Sequence, residues 1–505
     1  MARPLKEIVI VGGGSAGWMT AAALSSLLAP KDASITLIES DDIGIIGVGE
    51  ATIPDIINFN QLLGIDEADF IRETNATFKL GIEFIDWGRK GDRYIHPFSG
   101  HGVDMNGFDF HQFWLHSRAS GNTHPIDDYS LCAVAARQGK FVHPDPNPRS
   151  INAHIRYAYH FDASLYAKYL RTYAEKRGVR RIEGKIQTVV QAPETGHIAE
   201  LKLENGLAVT GEFFFDCSGF RSLLLGQTLG VPFTDWSHWL PCNSAQAVPS
   251  QHAGPLLPYT RATAKSSGWQ WRIPTQARTG NGHIYCRDFI SDHEATSVLL
   301  AGVEGELLGS PRTIRFTAGH RQTFWSKNCI AIGLAAGFLE PLESTSIYLI
   351  QEGISRFISL FPDASLPNVF REEYNRHMRA EFEQVRDFII LHYSATERTD
   401  SPFWDYCRTM SIPDSLRHKI ALFREGGRAF RHDDELFSRP SWVAVFLGQN
   451  IVPRAVDPIV AHLPPAEVTQ SVESMRVAMI KAAQTMPTHE QYLTKYRKAG
   501  LPAHP

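Results

Sequence analysis

The sequence predicts an α/β fold built on a GxGxxG dinucleotide-binding unit, with an inserted β-rich region and a helical C-terminal part. Three observations predict it. Ile8-Val9-Ile10-Val11 is a run of β-branched residues suited to a buried strand, and glycines follow at positions 12, 14 and 17. A second apolar strand, Ser34 to Ile38, is closed by Glu39, twenty-two residues beyond Gly17, where a carboxylate meets a ribose hydroxyl. The strand-then-glycine pattern returns at 212–219 and 328–337, which brings further loops to the cofactor end of one sheet.

In the first of these units Gly12 permits the tight turn, Gly14 lets the backbone approach a pyrophosphate, and Gly17 lets helix pack on strand. A helix expected over Met19 to Leu28 offers its positive end, with Ser15 and Ala16 beside it, to the phosphate. Gly47, Val48, Gly49, Glu50 and Ala51 follow, and such small residues suit either a plain turn or a backbone lying flat against a ligand. Glu67 to Asn75 reads as helix. Ala76 to Trp87 reads as one alternating strand, with Phe78, Leu80, Ile82 and Phe84 on one face and Lys79, Gly81 and Glu83 on the other. Lys79 is then either a solvated lysine or the single ammonium of a cleft, where desolvation would favour the nucleophilic amine.

Residues 88–150, rich in Gly, Pro, His and aromatics, read as loops and short elements of a pocket wall, with His101 among them. Their histidines lack ligand spacing, so no metal is expected. Asp162 to Arg177 reads as helix, and Arg180 to Leu203 as strands with Gly184-Lys185-Ile186 between them. Within a strand-rich insertion over 221–310, Trp269 and Trp271 point the same way. Together they bury roughly 300–500 Å² of aromatic surface, whether as core or as the wall of a passage. The turn holding Gly333 and Leu334 leads to Glu340-Pro341-Leu342-Glu343-Ser344-Thr345-Ser346. The helix beyond has Ile347, Ile350, Ile354, Phe357 and Phe361 at three-to-four spacing. Ser344 or Thr345 is a candidate N-cap, leaving amides near Thr345 and Ser346 to take a small anion. Glu343 either complements the helix dipole or serves that site. From 362 the chain reads as helical, ending in a helix near Glu467 to Thr485.

The 505 residues suggest roughly three domain-sized units. The expected division gives 1–87, 151–220 and 311–361 to a discontinuous cofactor module. It gives 88–150 and 221–310 to a substrate and tunnel region, and 362–505 to a helical substrate-site region. A net charge of −4 gives no electrostatic case for nucleic acid. No apolar run reaches the roughly 18 residues of a membrane helix. Six scattered cysteines without CxxC fit reduced thiols in a cytoplasm.

Taken together, these motifs resemble the flavin-dependent tryptophan halogenase family, from the first strand to about His392-Tyr393. The family pairs the N-terminal GxGxxG with a WxWxIP motif, present as Trp269, Trp271, Ile273 and Pro274. It also carries GVGEATIP, here Gly47 to Pro54, a lysine in a segment like Thr77 to Gly81, and EPLEST, here Glu340 to Thr345.

The resemblance implies an FAD-binding fold of the flavin monooxygenase type. It further implies a halogenase using FADH2, O2 and chloride or bromide, with a separate NAD(P)H flavin reductase as partner and a homodimer as the assembly considered. Hypohalous acid is made at the flavin and crosses a tunnel to a distant small aromatic substrate. Gly12, Gly14, Ser15, Ala16, Gly17, Glu39, the 47–51 segment, Ile186, Gly333 and Leu334 would hold FAD, and Thr345 and Ser346 the halide. Lys79 would hold the oxidant by hydrogen bond or as a haloamine, and Glu343 would position the electrophile or accept the ring proton. Trp269 and Trp271 would keep substrate from the flavin, and His101 and Trp442 belong to the tunnel and substrate set.

Two departures stand out. Ser346 stands where the family often has glycine, which narrows the approach of a halide. The stretch Ser441 to Asn450 lacks the tyrosines and glutamate with which members acting on free tryptophan bind its charged groups. The expected substrate is therefore an indole other than free tryptophan. A flavin aromatic hydroxylase and a non-catalytic flavin-binding protein are the alternatives.

Overall fold

A computed structural model describes residues 3–42, 49–431 and 435–496. It divides into two compact units, one of Met1–Asn75, Phe161–Ser237 and Phe316–Glu383, the other of Ala76–His160, His238–Arg315 and Gln384–Pro505.

The first unit is organised on a six-stranded sheet. Glu7–Val11 lies between Ser34–Glu39 and Phe213–Asp216; Arg180–Glu183 extends one side, Cys329–Ala331 and then Trp325–Ser326 the other. All pairs are parallel except the last. Parallel strands are covered on both faces, which is why Ile8 to Val11 and Phe213 to Phe215 are uniformly apolar and buried. Helix Ser15–Leu27 packs against both Ala163–Glu175 and Ser346–Ser359 in this unit. The first begins at Ser15, four residues before the expected Met19, because packing of Gly17 and Trp18 overrides weak local propensity. Asp162 precedes the second helix rather than lying in it, and accepts the amides of Ser164 and Leu165 as an N-cap.

The second unit holds a seven-stranded sheet in the order Arg312–Arg315, Ser244–Ser250, Thr279–Tyr285, Gly268–Pro274, Thr260–Lys265, Gly81–Ile85, Arg93–Pro97. Only the Thr260–Lys265 pairing with Gly81–Ile85 is parallel. Helices Phe110–Ala119 and Pro465–Thr485 share a core of Phe110, Phe113, Trp114, Val468 and Val472.

Three expectations change. Residues 76–87 form two strands, Thr77–Lys79 and Gly81–Ile85, broken where the Leu80 amide donates to Pro258 O. Both faces of this stretch are buried, so Lys79 and Glu83 share no solvent face. Residues 88–150 hold the buried helices Phe110–Ala119 and Leu131–Arg137 rather than loops and short elements alone. The expected boundaries also move. Gly81–Ile85 is hydrogen-bonded into the second unit's sheet and takes 76–87 with it, while 221–237 and 362–383 fall in the first unit. Among the described residues no helix is long and apolar enough to cross a membrane.

Candidate functional site

In the first unit three loops leave the carboxyl ends of parallel strands, the position at which open α/β sheets hold ligands. Gly12 has φ +110°, and a Cβ on it would lie 2.2 Å from Cys217 O. A Cβ on Gly17 would lie 1.8 Å from Gly12 O, so only glycine lets strand, helix and the Cys217 turn close up. A Cβ on Gly14 would meet nothing within 4 Å. The loop is thus packed tight on its protein side and open where a phosphate would approach. Gly14 caps the helix with no side-chain acceptor, so the amides around Ser15 and Ala16 face that space uncapped. Gly333, at φ +69°, brings the third loop against Ala16, and Leu334 follows it in a short 3₁₀ turn.

Glu39 ends the second strand as expected, but it does not stand alone. Arg181 Nε lies 2.5 Å from its Oε1, Arg171 NH1 3.6 Å, and Trp18 Nε1 donates to Oε2 at 3.4 Å. Glu50 and Ala51 lie in the short strand Gly49–Ala51, and burial with the neighbouring Asp162 charge pushes the Glu50 carboxyl up to about 7. Gly47 and Val48 lie outside the described residues. Ile186 is placed differently from the loop residues, since its side chain packs on the core of Val9, Val11 and Ile38. An open glycine cradle with uncapped amides and an acidic strand end fits a dinucleotide such as FAD.

The same unit carries Glu343 to Ser346. Glu343 is 1% exposed at the end of a 3₁₀ turn, and Ser344 is left-handed at φ +62°. Thr345 occupies the N-cap position of helix Ser346–Ser359, yet its backbone is helical (φ −91°, ψ −6°) and its hydroxyl accepts no amide. The expected side-chain cap is therefore not formed by Thr345, because a capping side chain reaches back from an extended residue. Among the described residues Thr345 Oγ1 is buried without a hydrogen-bond partner, beside a helix start that its own hydroxyl does not cap and that suits a small anion.

The second unit carries Lys79, 0% exposed, its Nζ 5.1 Å from the centre of the Phe98 ring. Its strand is fixed by contacts distant in sequence. Thr77 Oγ1 donates to Pro274 O at 2.6 Å, so the end of the Trp269–Pro274 motif holds the residue two before the lysine. His160 bridges Thr77 Oγ1 (3.1 Å) and Thr260 Oγ1 (2.9 Å), and burial together with the Lys79 charge holds its imidazole neutral. Trp269 and Trp271 are both buried, with ring centres 6.1 Å apart.

His101 is buried after strand Arg93–Pro97. Desolvation, with His96 and His111 near, pushes its pKa down to about 3, and its Nε2 has no partner. Trp442 lies in helix Arg439–Gly448, 1% exposed, edge-on to Phe388 at 4.8 Å, with Lys419 Nζ 4.7 Å over its ring. Phe388 stacks on Phe437 at 3.7 Å. Sequence reasoning missed His160, Arg181, Phe388 and Phe437. Spacing carried no signal for them, although a strand opening on Arg180-Arg181 after a helix would have hinted at an ion pair with Glu39.

The tryptophan halogenase family model matches residues 7–465. The chain is 34% identical to tryptophan 6-halogenase SttH of Streptomyces toxytricini, over 96% of this chain and 97% of the relative. It is similar in structure to Xcc4156, a flavin-dependent halogenase from Xanthomonas campestris, with a TM-score of 0.95 and 47% identity over 99% and 100% of the two chains. BrvH, a flavin-dependent halogenase from Brevundimonas sp. BAL3, gives a TM-score of 0.94 and 44% identity over 98% and 99%.

Proposed function

The chain belongs to the tryptophan halogenase family, and on that premise we propose that it halogenates an electron-rich indole other than free tryptophan. It is a flavin-dependent halogenase, using FADH2, O2 and chloride, and enzymes of this kind generally draw reduced flavin from a separate reductase. When bound, FADH2 would supply two electrons and two protons for the reduction of O2, which with halide and one further proton gives hypohalous acid and water.

In this reading the glycine cradle and Glu39 hold the dinucleotide, while the uncapped amides at Thr345 and Ser346 hold the halide. Lys79 holds the oxidant at its Nζ, by hydrogen bond or as a haloamine. Glu343 takes the proton that leaves the ring carbon as the carbon–halogen bond forms. Trp269 and Trp271 keep substrate and flavin chemistry apart. The observation that carries this is the complete burial of Lys79 beside an aromatic ring. A surface lysine needs no such environment, and burying an ammonium is costly.

The substrate assignment is supported by the segment around Trp442. Val443, Ala444, Val445 and Phe446 are buried in one helix, and Phe437 is buried just before it. Beside these apolar residues an amino acid's two charges would be left desolvated, and the ammonium over Trp442, that of Lys419, is already paired with Glu435 at 3.0 Å, so the cost is several kcal/mol. Indole avoids that cost, and without charged anchors its most nucleophilic carbon, C3, is the expected position. The test compares kcat/KM for indole and L-tryptophan under one reductase and one halide supply, with chloride and bromide in turn. Indole is expected to be favoured in both; a clear preference for tryptophan overturns the assignment.

A further inference from the structure

Among the described residues the strand Thr77–Lys79 is an edge strand, and its one strand neighbour there pairs Thr77 with His160, Phe78 with Tyr159 and Lys79 with Ala158. In an antiparallel ribbon every second residue turns its amide away from the partner strand. Here that residue is Phe78, and its N–H meets His489 Nε2 at 3.1 Å.

His489 is held to do this. It is fully buried at the start of helix His489–Leu493, and its own N–H donates to Gly139 O at 2.8 Å. A capping box of Thr488 and Gln491 closes that helix, and Glu490 Oε1 accepts the Leu256 amide at 3.0 Å. His489 Nδ1 lies 2.8 Å from Leu256 O. A carbonyl only accepts, so Nδ1 carries the hydrogen and Nε2 turns its lone pair to the Phe78 amide. One tautomer satisfies both contacts. Burial brings the imidazole pKa down to about 4, so this state persists at neutral pH. The Phe78 ring is fixed as well, stacked on Phe141 at 4.0 Å and edge-on to Tyr157 and Tyr492.

We infer that His489 is a positioning residue for Lys79: it fixes the Phe78 amide and so the place of the adjacent ammonium. The inference rests on reading Lys79 as the group that holds the oxidant. It assigns a part in the reaction to a residue beyond position 465, where the family match ends, on a segment that the sequence motifs do not reach.

The test sets His489→Leu against His489→Gln, whose amide can both accept from Phe78 and donate to Leu256 O. His489→Leu is expected to lower the halogenation kcat about 10- to 100-fold, the range for a reacting group misplaced by about 1 Å. KM for indole and flavin-dependent O2 consumption should stay within about twofold, the expected signature of a group acting after flavin oxidation and outside uniform substrate binding. Mass-spectrometric hydrogen exchange of the peptide holding Phe78 should be faster in His489→Leu. His489→Gln should recover most of the turnover and the protection. Unchanged kcat in His489→Leu despite fast exchange at Phe78 overturns the inference. So does an equal loss in both variants that tracks a fall in melting temperature and FAD content. Lys79→Ala is run in parallel. Wild-type turnover there removes the lysine reading itself, and is told apart because Phe78 exchange still responds to His489→Leu.

Discussion

In the function proposed above, the working groups at Gly12–Gly17 are backbone amides, and the loop is built so that almost nothing else is present. The working group proposed at Lys79 is one side-chain ammonium, and its strand is fixed by partners drawn from across the second unit. Thr77 is held by Pro274, 197 residues on, and Phe78 by His489, 411 residues on. A backbone site makes its demands locally, as glycines at fixed spacing, because a Cβ collides with main chain at Gly12 and Gly17. A side-chain site makes its demands at a distance, and the residues that answer them share no spacing.

The comparison breaks first at Lys79. Lys79→Ala is expected to abolish halogenation while reduced flavin is still oxidised by O2, measured as product mass against oxygen consumed. Product at the wild-type rate would return the lysine to a structural role. Next is Glu343→Gln, expected to slow halogenation about 10²- to 10⁴-fold, the usual range for losing a positioned acid–base group. FAD affinity should be unchanged by titration, and activity per bound flavin equal to wild type would make Glu343 structural.

The glycine loop is sharpened by a pair of variants. Gly17→Ala drives a Cβ into Gly12 O and should destabilise the FAD-free protein by about 1–3 kcal/mol, the usual cost of overpacking. Gly14→Ala should leave the FAD-free protein within about 0.5 kcal/mol of wild type while weakening FAD binding. Equal loss of apo melting temperature in both would show that Gly14 faces protein after all.

A last effect, read in pH dependence rather than in activity, concerns the helix that starts at Ser346. Tyr348, in its first turn, donates its hydroxyl to Glu381 at 2.9 Å, and burial pushes the Glu381 carboxyl up to about 7 from 4.5. The folded state therefore holds this proton longer than the unfolded chain. The contribution to stability is full below about 4.5, declines as pH rises and is lost through about 7. The loss is on the order of 3 kcal/mol at most. Denaturant unfolding between pH 5 and 8 should show this decline in wild type and a shallower one in Glu381→Gln. An identical slope in both would place the titration elsewhere.

How much of this was legible follows from the same contrast. The first strand, the cradle and Glu39 were readable because period and glycine spacing are sequence properties. The alternation over 76–87 was misread as a single strand because burial on both faces erases the difference between faces, and the break at Leu80 depends on Pro258. The cap at Thr345 was misread because a hydroxyl residue before an apolar helix is the usual signal, yet here the Thr345 backbone is already helical and cannot reach back. His101 was reached through the composition of the 88–150 region and Trp442 through comparison of its segment with family members that act on free tryptophan. Phe388 and Phe437, which surround Trp442's neighbourhood, were not, because aromatic residues in helical segments read alike whether they fill a core or wall a site.

The guanidinium beside Glu39 has a further consequence. With Arg181 at 2.5 Å and Arg171 at 3.6 Å, the carboxylate keeps its counter-ions whether or not a ribose is near. Departure of the nucleotide strands no anion, so dissociation carries no penalty for an uncompensated charge. Charge balance at the strand end is thus independent of occupancy, and oxidised and reduced cofactor can trade places without the protein having to reorganise its electrostatics. On the proposed reading, in which reduced flavin comes from another protein, that makes the cradle a berth for repeated turnover rather than a permanent mooring.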